Sequence, residues 1–295
     1  MSESKPSPPK GRHATELTNP DRVYWQDAGV TKQGLADYYV QVWPLMRPFM
    51  ESRPLALLRC PEGASQQCFF QKHAWKGISD AIVTFDDPLD NSDQPLVAID
   101  SLDGLLGLVQ AAALEIHPWQ SSLRDLEHPD QIVMDLDPGE GVEWPQIVAA
   151  ANEVRRRLSD SGLASFVKTS GGKGLHVVAP LRPRAGWDAV KGFAKGIADD
   201  MAAAEPEAYV ATVAKAKRVG RVLVDYLRNG RNQTAIAPYA TRARAGAPVA
   251  MPLAWEELSE KPIRYTVADA PARIATVADP WRDFRASARP LAEGE

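Results

Sequence analysis

The stretch Ile132-Val133-Met134-Asp135-Leu136-Asp137-Pro138-Gly139 decides how the chain is read. Its β-branched and apolar residues favour an extended strand, which Pro138-Gly139 ends in a turn. Side chains alternate faces along a strand, so Asp135 and Asp137 point one way while Met134 and Leu136 point the other. Their α-carbons lie roughly 7 Å apart by strand geometry, near enough for the carboxylates to repel. A divalent cation between them removes that repulsion, and hard, oxygen-seeking Mg²⁺ or Mn²⁺ suits the donor set. The pair alone is not specific, because D-x-D also occurs in nucleotide-sugar glycosyltransferases, in turns and at sheet edges.

Two further segments sharpen the reading. Val222-Leu223-Val224-Asp225-Tyr226-Leu227 places an aspartate inside an apolar run, where an uncompensated charge is costly. Three carboxylates can hold two cations about 4 Å apart, the arrangement that clamps an in-line phosphoryl transfer. In Val167-Lys168-Thr169-Ser170-Gly171-Gly172-Lys173-Gly174-Leu175-His176-Val177-Val178, a glycine turn joins two strand-like runs. Glycine lets backbone N–H groups close on an anion, and Lys173 adds positive charge. The segment is not a Walker P-loop, because Gly174 follows the lysine and a strand follows that. A hairpin here brings Ser170 and His176 near each other at its open end, where both can hydrogen-bond triphosphate oxygens. An ordinary glycine turn with Lys173 in solvent, and a structural His176, fit the same residues.

Outward from these motifs, Thr31 can cap a helix with apolar positions Leu35, Tyr38, Tyr39 and Val42, which Pro44 and Pro48 should kink or end. Strand-like runs occupy 54–59, 66–70, 81–85 and 96–99. Helices are expected from Pro145 to Leu158, with Gly162 beyond the end, and from Trp187 to Ala204. Strands are expected at Gln131–Asp137, Phe166–Ser170, Leu175–Ala179 and Arg221–Leu227. Elements interspersed without βαβ repetition predict an α+β fold of mixed and antiparallel sheets flanked by helices. Residues 1–14 read as a disordered linker or tail, 15–285 as one domain, and 286–295 as a loose C-terminal tail.

The chain has 295 residues, 44% hydrophobic and 24% charged, with net charge −4, ordinary for a globular protein. No apolar run approaches the roughly 20 residues that cross a bilayer. The first residues carry no hydrophobic segment suited to secretion, so the chain reads as cytoplasmic without a membrane partner. Two cysteines, Cys60 and Cys68, give no disulfide framework, and with His73 they lack the fourth ligand of a structural zinc site. Charge is unevenly spread. Eight basic residues and one acid, Asp225, lie between Lys215 and Arg244, while seven aspartates and no Lys or Arg lie between Asp80 and Asp103. A mildly acidic chain can still present a basic groove to nucleic acid, although a solvated basic face fits too. The acidic segment reads as an exposed loop.

Met-Asp-Leu-Asp-Pro-Gly at 134–139, then Thr-Ser-Gly-Gly-Lys-Gly-Leu-His at 169–176, then Val-Asp-Tyr-Leu-Arg-Asn at 224–229, resembles the archaeo-eukaryotic primase superfamily. More narrowly the chain resembles the polymerase domain of bacterial DNA ligase D, an end-joining enzyme. The likeness runs from Thr18-Asn19-Pro20-Asp21-Arg22 to about Asp283 and includes R-C-P-E-G at 59–63, F-F-Q-K-H at 69–73 and E-I-H-P-W at 115–119. The resemblance implies a primase-polymerase core and two Mn²⁺ or Mg²⁺ ions held by Asp135, Asp137 and Asp225. It implies nucleoside triphosphate contacts from Ser170, Lys173, His176, His117, Arg228 and Arg242. It also implies template stacking from the pair Phe69-Phe70, with Phe70 favoured, and recognition of a downstream 5′-phosphate by Asn19, Arg22 and Lys32. Where the family often carries Lys, Arg22 keeps the charge and improves bidentate geometry. The implied activity is addition of nucleotides, preferentially ribonucleotides, to 3′ ends at DNA gaps and breaks. Implied partners are DNA with a 5′-phosphate, the ligase and phosphoesterase domains, and Ku. Two rivals are a glycosyltransferase using the D-x-D pair and a non-catalytic DNA-end-bridging module.

Overall fold

Asp135 and Asp137 lie on the strand that organises the sheet in the computed structural model, which describes residues 15–291. In chain order the first elements are β1 (Val23–Trp25), β2 (Val30–Thr31), α1 (Lys32–Met50), β3 (Leu55–Arg59), β4 (Phe69–Gln71), β5 (Val83–Phe85), β6 (Leu96–Ala98), α2 (Leu102–Gln110) and β7 (Ala113–Pro118). There follow β8 (Gln131–Pro138), α3 (Trp144–Asp160), β9 (Phe166–Thr169), β10 (Leu175–Pro180), α4 (Trp187–Ala204), β11 (Tyr209–Val210) and β12 (Val222–Asp225). The last are β13 (Pro248–Val249), β14 (Pro252–Leu253), β15 (Tyr265–Thr266) and α5 (Ala270–Thr276). The α+β class expected from the sequence is the class observed.

A six-stranded sheet in the order β11-β12-β8-β10-β9-β14 forms the centre, antiparallel except for the parallel pair β11 and β12. A smaller antiparallel sheet has the order β4-β3-β7. Alternation along β8 separates two environments. Met134 and Leu136, with Leu175, Val177 and Val224 from the neighbouring strands, join Ile147, Ala151, Val154 and Leu158 of α3 and Val190 and Ala194 of α4 in the main core. Each fully buried Leu, Ile, Val or Met side chain among them contributes about 1.5–3 kcal/mol. On the opposite face, Val133 and Val178 pack with Phe49, Trp281 and Phe284. That aromatic cluster closes one end of the face, and Asp135 and Asp137 lie beyond it.

Several expectations need correction. Pro44 and Pro48 do not end the first helix, since α1 continues to Met50. Both prolines sit four apart on the exposed side, where water can take the carbonyls they leave without donors, while Met46, Phe49 and Met50 stay buried. The aspartate-rich stretch is more than an exposed loop. It contains β5, β6 and the start of α2, whose N-cap Ser101 accepts from Gly104 N at 3.2 Å. Buried Asp87 takes a bidentate pair from Arg231, both contacts 2.9 Å. Cys60 and Cys68 are joined in a disulfide, and His73 faces Asp90 at 2.6 Å, so the three form no zinc site. At the C-terminus, Arg289 bridges to Leu181 and Leu291 is buried; the stretches 1–14 and 292–295 lie outside the described residues. Among the described residues no helix is long and apolar enough to cross a membrane.

Candidate active site

Strand register assembles the site. Antiparallel pairing sets Asp225 of β12 opposite Asp135 of β8, His176 of β10 opposite Asp135, and Lys168 of β9 opposite His176. Directly opposed residues share a face. One row therefore crosses four strands as Asp225, Asp135, His176 and Lys168, all buried. Asp137, one strand repeat further on, is half-buried on the same face.

Two carboxylates facing each other across a ladder are destabilising. The chain answers with Arg228, carried on the short 3₁₀ turn Leu227–Asn229 after β12. Asp225 Oδ1 shapes that turn by accepting from Leu227 N at 2.8 Å. Arg228 Nε stands 3.2 Å from Asp135 Oδ2, and its Nη2 stands 3.5 Å from Asp225 Oδ2. His176 Nε2 lies 3.3 Å from Asp135 Oδ1. Burial opposes ionisation of Asp135, but His176, Arg228 and Lys168 outweigh it and hold this carboxyl well below the usual range. Asp137 has less help: burial and then the charge of Asp135 push its carboxyl up to about 6. Burial also raises Asp225. Burial, then the charge of Lys168, pushes His176 down to about 4, so its ring is neutral at pH 7. Burial drives Lys168 down to about 7. Lys168 Nζ, His176 Nδ1 and Asp135 Oδ1 are buried without a hydrogen-bond partner in the chain.

The acids fit a cation by chemistry, with three hard oxygen donors on one face and Asp137 only weakly compensated, its ion pair with Arg218 being 4.0 Å long. They are not arranged as a ready cage. Among the described residues no three His, Cys, Asp or Glu side chains are grouped to hold a metal ion. Arg228 instead pairs with both Asp135 and Asp225.

The glycine turn closes on itself beside the acids. Ser170 Oγ accepts from Gly172 N and Gly174 N, both 3.2 Å, and Ser170 N donates to Gly174 O at 3.0 Å. The serine oxygen thus shapes the turn and keeps its own hydrogen to donate. Gly171 has φ +68°, and a Cβ there would stand 2.6 Å from Arg242 Cγ. At Gly174 a Cβ would meet Leu136 O at 2.1 Å, so glycine is what lets β10 approach β8. Lys173 is exposed.

A recess of about 420 Å³ gathers most of the residues singled out from the sequence. Asp135, Asp137, Ser170, Lys173, His176, His117, Arg228, Arg242 and Phe70 all line it, while Asp225 adjoins it behind Arg228. His117 stands on β7. Neither of the two aromatics is packed in the core. Phe69 is 43% and Phe70 68% exposed, because β4 is a three-residue edge strand. Phe69 lies against the Arg59 guanidinium, and Phe70 meets the His117 ring edge-on with centroids 5.9 Å apart.

Asn19 and Arg22 line a separate surface recess with Asp21. Arg22 Nη2 pairs with Glu62 at 2.8 Å. Lys32 differs from Arg22. It is buried, and its Nζ donates to Thr18 O at 2.7 Å and Gln110 Oε1 at 3.3 Å. The basic cluster at 215–244 also divides. Arg228, Arg231 and Arg242 are engaged with acids, Lys215 and Lys217 stand exposed, and Arg218 and Arg244 line the main recess.

Two buried groups at the site went unassigned from the sequence. Glu115 lies two residues before His117, and on a strand that spacing puts both on one face. Lys168 precedes Ser170 by the same step, but only the pairing of β9 with β10 reveals its place in the polar row.

Comparison with known proteins bears on the fold and family of the chain. Residues 31–281 match the family model described as LigD, primase-polymerase domain. The chain is 38% identical over 272 residues to the multifunctional non-homologous end joining protein LigD of Pseudomonas aeruginosa, covering 91% of this chain and 32% of that protein. It is 31% identical over 284 residues to the bifunctional non-homologous end joining protein LigD of Bacillus subtilis, covering 95% of this chain and 45% of that one. The chain therefore spans about a third to under half the length of these relatives. Among solved structures, the polymerase domain from Mycobacterium tuberculosis ligase D in complex with DNA matches with TM-score 0.87 and 32% identity, over 94% of this chain and all of that one.

Proposed function

The chain belongs to the LigD primase-polymerase domain family, and on that footing we propose that it is a nucleotidyltransferase extending 3′ ends at DNA gaps and breaks. The observation that carries this reading is the register that sets Asp225 beside Asp135 and Asp137, next to a glycine turn and a recess lined by basic side chains. A 420 Å³ recess is within the usual range for a small-ligand site.

In this reading Asp135, Asp137 and Asp225 would hold Mn²⁺ or Mg²⁺, which would supply Lewis acidity towards a 3′-hydroxyl and positive charge towards a triphosphate. Arg228 gives up its two carboxylates and turns to the phosphates, where a guanidinium is equally well matched. Ser170 donates its hydroxyl hydrogen, the turn offers backbone N–H groups, and Lys173 and Arg242 supply positive charge. His117 and His176 border the same phosphates from β7 and β10. The exposed Phe70, with Phe69 beside it, gives a template base a surface to stack on. Asn19, Arg22 and Lys32 receive the downstream 5′-phosphate, with Arg22 leaving Glu62 and Lys32 exchanging the Thr18 carbonyl for a phosphate oxygen. Ribonucleotide preference, activation by Mn²⁺, and work beside Ku and the ligase and phosphoesterase domains complete the proposal.

The test is primer extension across a gap carrying a 5′-phosphate, comparing ribo- with deoxyribonucleotides and Mn²⁺ with Mg²⁺. Extension should require metal and disappear in Asp135→Ala. A chain that adds no nucleotide under any of these conditions, or an Asp135→Ala variant that extends normally, would refute the proposal. The glycosyltransferase alternative is disfavoured by the family match over 31–281, and the bridging alternative leaves the third carboxylate without a use.

A further inference from the structure

We propose that Glu115 is a positioning residue for the nucleotide recess, fixing the His117 ring in one tautomer and aiming Arg242 across the glycine turn. This rests on the nucleotidyltransferase reading of the same recess.

Glu115 on β7 is 4% exposed. A carboxylate so buried is tolerated only where charged or hydrogen-bonding partners satisfy it. Its Oε2 lies 2.9 Å from His117 Nε2 and 3.0 Å from Arg242 Nε, and its Oε1 accepts from Ala243 N at 3.0 Å. One side chain thus engages two recess groups from different parts of the chain, together with the backbone that carries one of them. A purely structural ion pair would turn its partners away from solvent. Here both partners line the recess.

The consequence for each partner follows from its chemistry. An ionised carboxylate only accepts hydrogen bonds, so His117 Nε2 must carry the hydrogen. The other ring nitrogen is then the acceptor left to a ligand. Because the same ring meets Phe70 edge-on, Glu115 also sets the wall against which that aromatic rests. Arg242 is ion-paired with Glu115 through Nε at 3.0 Å, without the alignment of a hydrogen bond, and its Nη1 donates to Ser170 O at 3.0 Å. Its aliphatic stem covers Gly171, where a Cβ would not fit. Glu115 therefore links β7 to the turn through one guanidinium, and the smaller sheet to the larger one.

The experiment uses Glu115→Gln in the full chain, because an amide keeps the shape but turns an N–H group towards N–H groups that now face a carboxylate oxygen. Nucleoside triphosphate affinity should fall about tenfold, equivalent to about 1.4 kcal/mol. The nucleotide KM should rise in step while kcat falls less than about threefold, since binding geometry rather than the reacting atoms is disturbed. Ring ¹⁵N spectra, with His117 assigned through His117→Gln, should show the Nε2–H tautomer in the unsubstituted chain and its loss in Glu115→Gln. Unchanged affinity and tautomer in the variant would overturn the proposal. So would an Nδ1–H ring at His117 in the unsubstituted chain, a result that needs no variant to fold. If the unsubstituted chain adds no nucleotide, the functional reading fails, while the binding titration and the ring spectra still decide the role of Glu115.

Discussion

Replacing Asp137 by asparagine should remove activity while stabilising the metal-free fold. The side chain is half-buried beside Asp135, and its carboxyl is raised from 3.8 to about 6 by burial first and by that neighbour second. A rise of that size corresponds to about 3 kcal/mol if fully expressed. The side chain is 39% exposed, so solvent screening reduces the figure to about 1 kcal/mol. The sign follows from proton binding. Between pH 4 and 6 the folded chain holds a proton here that the unfolded chain has lost, so this group makes stability fall as pH rises through that window. Asparagine has no such dependence. Its advantage should be absent near pH 4, grow towards pH 6, and then stay level at about 1 kcal/mol, or roughly 2 °C in Tm for a chain of this length. The assay is thermal unfolding of both proteins in chelator across pH 4–8, alongside metal-dependent primer extension. A variant destabilised throughout, or one whose advantage is unaffected by pH, would refute the claim that burial and Asp135 outweigh Arg218 and Arg228 at Asp137.

Two more outcomes follow from the site's geometry. Gly174→Ala must push β10 off β8, since its Cβ would stand 2.1 Å from Leu136 O. Overpacking of this kind costs about 1–3 kcal/mol, and primer extension should suffer more than Tm because the His176–Asp135 contact opens; native values for both would show that the strands do not need this closeness. Phe70→Ala, at a 68% exposed position, should change stability by less than about 0.5 kcal/mol. Its extension should be lost on templated gaps more than on blunt ends, and equal loss on both would remove the stacking role.

Much of the site was legible because the chemistry repeats on a short local period. The D-x-D spacing on a strand, the glycine turn and an aspartate inside an apolar run each announce themselves within ten residues. Long-range partners do not. Arg231 finds Asp87 across 144 positions, and Lys32 reaches Gln110 across 78, so neither pairing leaves a local trace. Arg228 was read as a ligand group, but its grip on Asp135 and Asp225 depends on a turn whose direction Asp225 itself sets. Helix α2 was missed because two glycines in nine residues weaken the propensity signal, whereas burial of Leu105, Leu106, Leu108 and Val109 supports it in the fold. The prolines in α1 misled for the opposite reason: the local rule is sound, and tertiary burial on the other side of the helix overrides it.

The row Asp225, Asp135, His176 and Lys168 has a consequence for how the molecule matures. Because side chains change faces at every residue, a slip of β8 by one position would send Met134 and Leu136 towards water and drive both aspartates into the oily interior beneath α3. Such a chain would be too unstable to persist. Mispaired copies should therefore be cleared as folding failures before they can act as faulty catalysts, so that a single act of strand alignment both completes the protein and arms it.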